Sequence, residues 1–177
     1  MIKRFLQTTF LIATILSCSE IDKLTQFNMR YSSTVTIPSS SIVSLPINLD
    51  TPDINSNSES TFSGNNTRKD LIEEIRLTEM TLTISSPTDG TFSFLEAISI
   101  SISANGLPDN EIAFLNNIPD NGSNTITLDV SDDDIKEYLT QDKFKLKVST
   151  TTDETIEQDH DIEINSTFFV DAKILGQ

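Results

Sequence analysis

Between Ala97 and Ala104 the chain alternates without a break: Ile98, Ile100, Ile102 and Ala104 share one parity, and Ser99, Ser101 and Ser103 share the other. A period of two sends successive side chains to opposite faces of a strand. This run therefore fits a sheet with one buried and one wet face, not a helix, whose apolar residues recur at steps of three and four. The same parity returns from Asp159 to Leu175, where Ile162, Ile164, Phe168, Val170, Ala172 and Ile174 line one side and Ser166 interrupts. Asn165-Ser166 predicts a bulge or a bend between two sheets. Ile75–Ser85, Thr125–Val130 and Lys143–Ser149 repeat the pattern, and Ser33–Pro38, Ser41–Leu49 and Glu111–Leu115 are shorter candidates.

Turn-forming residues separate these runs, as in Ser86-Pro87-Thr88-Asp89-Gly90, Asn105-Gly106-Leu107-Pro108 and Pro119-Asp120-Asn121-Gly122. Strands at roughly ten-residue spacing predict an all-β fold: an antiparallel β-sandwich of immunoglobulin-like type, with seven or eight strands and one or two short helices. A small barrel is the competitor, and the Cys pair and Trp of immunoglobulin domains are missing. One helix is expected after Asn66, over Lys69–Glu74. A second is expected with Ser131 as its cap, Asp132, Asp133 and Asp134 in its first turn, and Ile135 and Leu139 buried. Residues 50–66, rich in Asp, Ser, Asn and Thr, read as a long polar loop.

The N-terminus has a different logic. Lys3 and Arg4 precede an apolar stretch from Phe5 to Leu16, too short to span a bilayer as a helix, which takes roughly 20 apolar residues. Ile15-Leu16-Ser17-Cys18 resembles the lipobox of bacterial lipoproteins, with Leu16 standing where that family usually carries a small residue. The resemblance implies cleavage after Ser17 and acylation of Cys18 by a diacylglycerol thioether and an N-linked fatty acid such as palmitate. Two or three acyl chains anchor stably where one is marginal. Cys18 is the only cysteine, so no internal disulfide competes for it. The expected division is residues 1–17 as signal peptide, 18–32 as acylated Cys18 and flexible tether, and 33–177 as a single sandwich domain. Ser19 after Cys18 resembles the outer-membrane rather than the inner-membrane sorting pattern. Glu20 and Asp22 are similar to the acidic signals of surface-exposed lipoproteins in the Bacteroidetes. Leu82-Thr83-Ile84-Ser85-Ser86-Pro87 and Phe169-Val170-Asp171-Ala172-Lys173-Ile174-Leu175 also resemble small uncharacterised envelope lipoproteins of that phylum, which implies an address and no particular activity.

Net charge is −15, with 27 acidic against 12 basic side chains; loss of Lys3 and Arg4 with the signal takes it to −17. Phosphate backbones require clustered cations, so nucleic acid is not a partner. The expected partners are membrane lipid, through Cys18, and an envelope protein.

No catalytic constellation is legible, and the chain is read as not an enzyme. His160, the only histidine, shares the parity of Ile162 and reads as a rim residue, with Asp159 and Asp161 aimed at the opposite face. No Gly-x-Ser-x-Gly elbow is present. No cofactor or metal is expected. Asp132–Asp134, Asp153 with Glu154, and Asp120 with Asn121 and Asn124 are the acidic clusters to weigh for calcium, and none has the spacing of a twelve-residue calcium loop. Aromatic residues for stacking on sugars are few, with two Tyr and no Trp. Two functions remain in play. The first is a non-enzymatic envelope lipoprotein with a structural, adhesion or accessory-subunit role. The second is a displayed module that binds glycan or calcium.

Overall fold

A computed structural model describes residues 25–40 and 44–173, so Ser17 and Cys18 lie outside the described residues. Strands β1 (Phe27–Ile37), β4 (Ile72–Ser86), β7 (Thr125–Thr127) and β10 (His160–Ala172) form one sheet, in the order β1-β10-β4-β7. Strands β2 (Ile47–Asp50), β9 (Lys143–Thr152), β5 (Leu95–Ser103), β6 (Asn110–Asn116) and β8 (Asp129–Val130) form the other in that order, and β3 (Ile54–Asn55) joins the free edge of β9. Two short α-helices, α1 (Ser58–Gly64) and α2 (Lys136–Leu139), and two 3₁₀ turns, Lys69–Leu71 and Phe92–Phe94, complete the described elements. All the strand pairs are antiparallel.

The expected antiparallel β-sandwich is the fold. Setting aside the two-residue β3 and β8, eight strands interleave between the sheets as β1-β10-β4-β7 and β2-β9-β5-β6. That order is the jelly roll, two Greek keys wound together, and within the sandwich class it differs from the immunoglobulin connectivity. The Thr125–Val130 run is shared between sheets: Thr125–Thr127 pairs with β4, and Asp129–Val130 pairs with β6.

The two inner faces meet in one core. Ile98, Ile100 and Ile102 of β5 lie against Phe144, Leu146 and Val148 of β9, and across from Leu82, Ile84, Ile162, Ile164 and Phe168. Each such side chain contributes roughly 1.5–3 kcal/mol on burial, and alternation aims them all inward.

Several expectations are corrected. β1 begins at Phe27, so residues 27–32 are strand rather than tether. Phe27, Met29, Tyr31, Val35 and Ile37 share the inward parity, and the ladder to β10 runs unbroken from Phe27 opposite Val170 to Ile37 opposite His160. Asn165-Ser166 is no bulge. The register shifts with β4 fall elsewhere on β10, and Ser166 stays buried with its Oγ donating to the Tyr31 carbonyl at 3.4 Å. The extra residues lie on β4, where Thr78 is skipped and the buried parity passes from Leu77 to Met80.

The segment 50–66 is built structure, not an open loop. Thr51 exchanges backbone and side-chain hydrogen bonds with Leu146, and β3 and α1 follow it. Phe62 is fully buried and meets Phe27 edge-on at 6.2 Å. Polar composition hid this because the buried polar groups are satisfied: Ser56 Oγ donates to the Gln141 carbonyl. The helix expected over Lys69–Glu74 is a single 3₁₀ turn, Lys69–Leu71, before β4 claims the chain at Ile72. The other helix starts at Lys136 rather than at a Ser131 cap. Asp134 Oδ1 takes the Lys136 and Ile75 amides at 3.0 Å each, which ties the helix start to β4.

Candidate ligand-binding face

The outer face of the six-stranded sheet follows from the serine side of the β5 alternation. Register places Asn48, Ser149, Ser99 and Phe114 in one row across β2, β9, β5 and β6. The next row toward the Leu95 end holds Thr151, Ala97 and Asn116. These rows line a shallow depression of about 370 Å³, within the roughly 300–1,000 Å³ range of small-ligand clefts. Small side chains at Ala97 and Ser99 make the floor, and the half-exposed Phe114 ring forms one wall.

Charge is confined to the margins. One row toward the other end of the sheet, Asp50, Lys147, Ser101 and Glu111 lie side by side. Lys145 is ion-paired with Asp50, and Lys147 with Asp109 at 2.7 Å. The hydrogen bond from Lys147, then that from the Ser103 hydroxyl, holds the Asp109 carboxyl below its usual value, and the same Lys147 bond raises the lysine. These cations are committed, so the depression presents hydroxyls, an amide and a ring, with Glu111 as its acidic rim.

Among the described residues, Ser99, Asn116, Ser149 and Thr151 make no side-chain hydrogen bond. The outer face of the four-stranded sheet contrasts with this. There Ser32 donates to Glu163, Thr36 to Asp161 and Ser85 to the Asp161 carbonyl, while Thr83 and Thr125 bond each other at 3.2 Å. That face ties many of its polar groups to one another, although Thr34, Thr81 and Thr127 on it make no side-chain hydrogen bond among the described residues. The other face leaves its polar groups open beside an aromatic wall.

His160 is buried, its ring 4.5 Å from Phe94 and its Nδ1 2.9 Å from the Gln158 carbonyl. Asp159 accepts the Ser39 amide, and Asp161 accepts the Thr36 hydroxyl, so neither carboxylate serves the imidazole. The three aspartates at 132–134 diverge. Asp132 reaches Arg76 at 3.8 Å, Asp133 accepts from Asn110, and Asp134 caps the turn into α2. Asn121 and Asn124 accept within their own turn, from Ser123 and Thr125. Among the described residues no three His, Cys, Asp or Glu side chains gather as a metal site. Phe169, off the parity of the core, lies under the Arg76 guanidinium at 5.8 Å. Sequence reasoning placed Ser99 and Ser101 on the wet face but missed Phe114, because Ile112 is an extra residue at a register shift that turns the parity of β6.

No protein-family profile and no curated protein matches the chain. Among solved structures it is similar to the Desmodium yellow mottle tymovirus structure, at 11% identity over 86% of this chain and 91% of that one, with a TM-score of 0.29. It is also similar to a carbohydrate-binding module of the β-sandwich superfamily, at 11% identity, 84% and 55% coverage and a TM-score of 0.31. A third is infectious bursal disease virus strain Gt, at 12% identity, 81% and 31% coverage and a TM-score of 0.32. Such identities carry no activity across.

Proposed function

We propose that this chain is a lipid-anchored, non-enzymatic protein of a bacterial envelope, held to the outer membrane by acylated Cys18 and serving a structural, adhesion or accessory-subunit role. The observation that carries the non-enzymatic reading is the commitment of the only histidine. His160 is packed on Phe94, and its flanking carboxylates are spent on Ser39 and Thr36.

The anchor rests on the order of Lys3, Arg4, the apolar stretch, Ser17 and Cys18. With β1 starting at Phe27, residues 19–26 are the whole link from the acylated cysteine to the sandwich, a reach of roughly 30 Å when extended. The pole that carries Phe27, Ile72 and Ala172 then faces the lipid, and the pole with His160 and Ser86 faces away.

Radiolabelled palmitate fed to cells expressing the full chain tests this. Label is expected in the wild-type protein, which fractionates with the outer membrane. It is expected to be absent from Cys18→Ala, which is released to the soluble fraction. A Cys18→Ala protein that stays membrane-bound while the wild type takes up no label overturns the anchor. Reproducible crosslinking of the wild-type protein to an envelope protein supports the accessory role, and recovery of none counts against it.

A further inference from the structure

Going beyond the envelope role proposed above, we infer that the depression on the outer face of the six-stranded sheet binds a neutral oligosaccharide, with Phe114 as the stacking platform and Ser99, Asn116, Ser149 and Thr151 as its hydrogen-bonding groups.

The ligand class follows from what the lining offers and lacks. A pyranose presents two kinds of surface: equatorial hydroxyls around its edge and C–H groups on its faces. The C–H face matches the negative face of an aromatic ring, and the edge needs side chains that both donate and accept. Hydroxyl and amide groups do both, and at Ser99, Asn116, Ser149 and Thr151 none is already taken by the described residues. An anionic glycan or a phosphate is disfavoured because Lys145 and Lys147 are neutralised by Asp50 and Asp109, and Glu111 adds a negative charge at the rim. A cationic ligand has no second carboxylate in the depression to close on it. An extended peptide gains affinity at a sheet edge through backbone ladders, and this site is centred on the outward face of β5, which is paired on both sides, to β9 and to β6.

The depression is open and floored by small side chains. A segment within a longer chain can lie across it, and binding to a single ring is expected to be weak, with Kd near about 1 mM for short oligomers. It lies on the half of the sheet near Leu95 and Thr152, which neighbours the His160 pole. A module tethered at Phe27 thus presents it away from its own membrane.

The test uses purified full-length protein in detergent, titrated with cellohexaose, xylohexaose and mannohexaose to about 10 mM and followed by amide chemical shifts. One of the three is expected to shift Ala97, Ser99, Phe114, Asn116 and Ser149, and to leave Thr81, Thr83 and Thr125 of the opposite sheet unmoved. Phe114→Ala is expected to weaken binding by about tenfold or more, Phe114→Tyr to retain it, and Ser149→Lys to abolish it. Thr83→Ala should bind as the wild type does. Unchanged melting temperatures separate lost binding from lost folding, and Ser149→Lys, at a half-buried position on the outer face, serves if Phe114→Ala fails to fold. No binding by any of the three sugars overturns the inference. So does binding that Phe114→Ala and Ser149→Lys both leave intact, or shifts confined to other residues. Binding needs no lipid, so Cys18→Ala protein is expected to bind equally well. A failed palmitate experiment and a failed titration therefore report on separate claims.

Discussion

The Tyr31 hydroxyl donates to the Ser56 carbonyl, and this bond crosses from the inner face of the four-stranded sheet to the segment bordering the other sheet. The Tyr31 ring stands edge-on to Phe144 at 5.1 Å and to Phe168 at 5.7 Å, so one residue of β1 touches both layers and the strap between them. Burial pushes the phenol above its usual value of 10.0.

Tyr31→Phe keeps the ring contacts and strips the Ser56 carbonyl of its donor. The expected loss is about 1–2 kcal/mol at neutral pH, read from urea midpoints. The sign of the pH dependence follows from the raised phenol. The unfolded chain ionises Tyr31 near 10 while the folded one does not, so this contribution is full below pH 10 and declines as pH rises above it. Tyr31→Phe is expected to have a shallower alkaline limb than the wild type. The burial-raised Tyr138 supplies part of what remains.

Phe62→Ala tests whether the polar segment is a structural part of the sandwich. Removing a fully buried ring is expected to cost about 3–5 kcal/mol in chemical denaturation. Hydrogen exchange gives a second view. The amides of Thr51, Thr61 and Asn65, bonded to Leu146, Asn57 and Thr61, are expected to be protected well above unfolded-chain rates. Exchange at unfolded-chain rates there would contradict the role given to α1.

Thr51 stands where β2 ends and β3 has not begun, and its Oγ1 accepts the Leu146 amide at 3.0 Å. Thr51→Val preserves the shape and removes the acceptor. The buried N–H of Leu146 is then left without its partner, at an expected cost of about 1–3 kcal/mol. Thr51→Ser, which keeps the oxygen, should recover most of it.

The pair Asp109–Lys147 fastens the turn before β6 to the middle of β9. Its contribution through the lowered Asp109 is present above the carboxylate's ordinary 3.8 and is lost as pH falls through the depressed folded value. Through Lys147 it is present below 10.5 and is lost as pH rises past the raised folded value. Lys147→Met is expected to flatten the acid limb of a stability–pH curve. Both groups are exposed, so the difference should shrink in about 1 M salt.

The strands of the core were legible wherever a strict alternation met one wet face, as in β5 and β10. β1 was shortened because Ser32 and Ser33 masked a parity that Phe27, Met29, Val35 and Ile37 in fact share. In β4 the shared face of Met80, Leu82 and Ile84 is buried as its alternation suggests, but the switch of parity to Ile75 and Leu77 is set by bulges against β10, and no single strand encodes its partner's register. The 50–66 segment stayed hidden because Thr51, Ser56 and Ser58 are buried through hydrogen bonds, a tertiary property with no apolar period. Of the candidate binding face, the serines were visible in the alternation. Phe114 was not, because a register shift in β6 decides which way it points.

The unbroken eleven-residue ladder of β1 also has a mechanical meaning. With the proposed anchor at Cys18 in place, load would enter the body at Phe27, along the strand axis, with β10 alongside it. Force in that direction shears the ladder, so its hydrogen bonds share the pull and must yield together. Peeling from the Ile37 end would break them one at a time. The first strand is thus oriented as a load-bearing seam, and the tug of whatever the domain grips would be met along its strong direction.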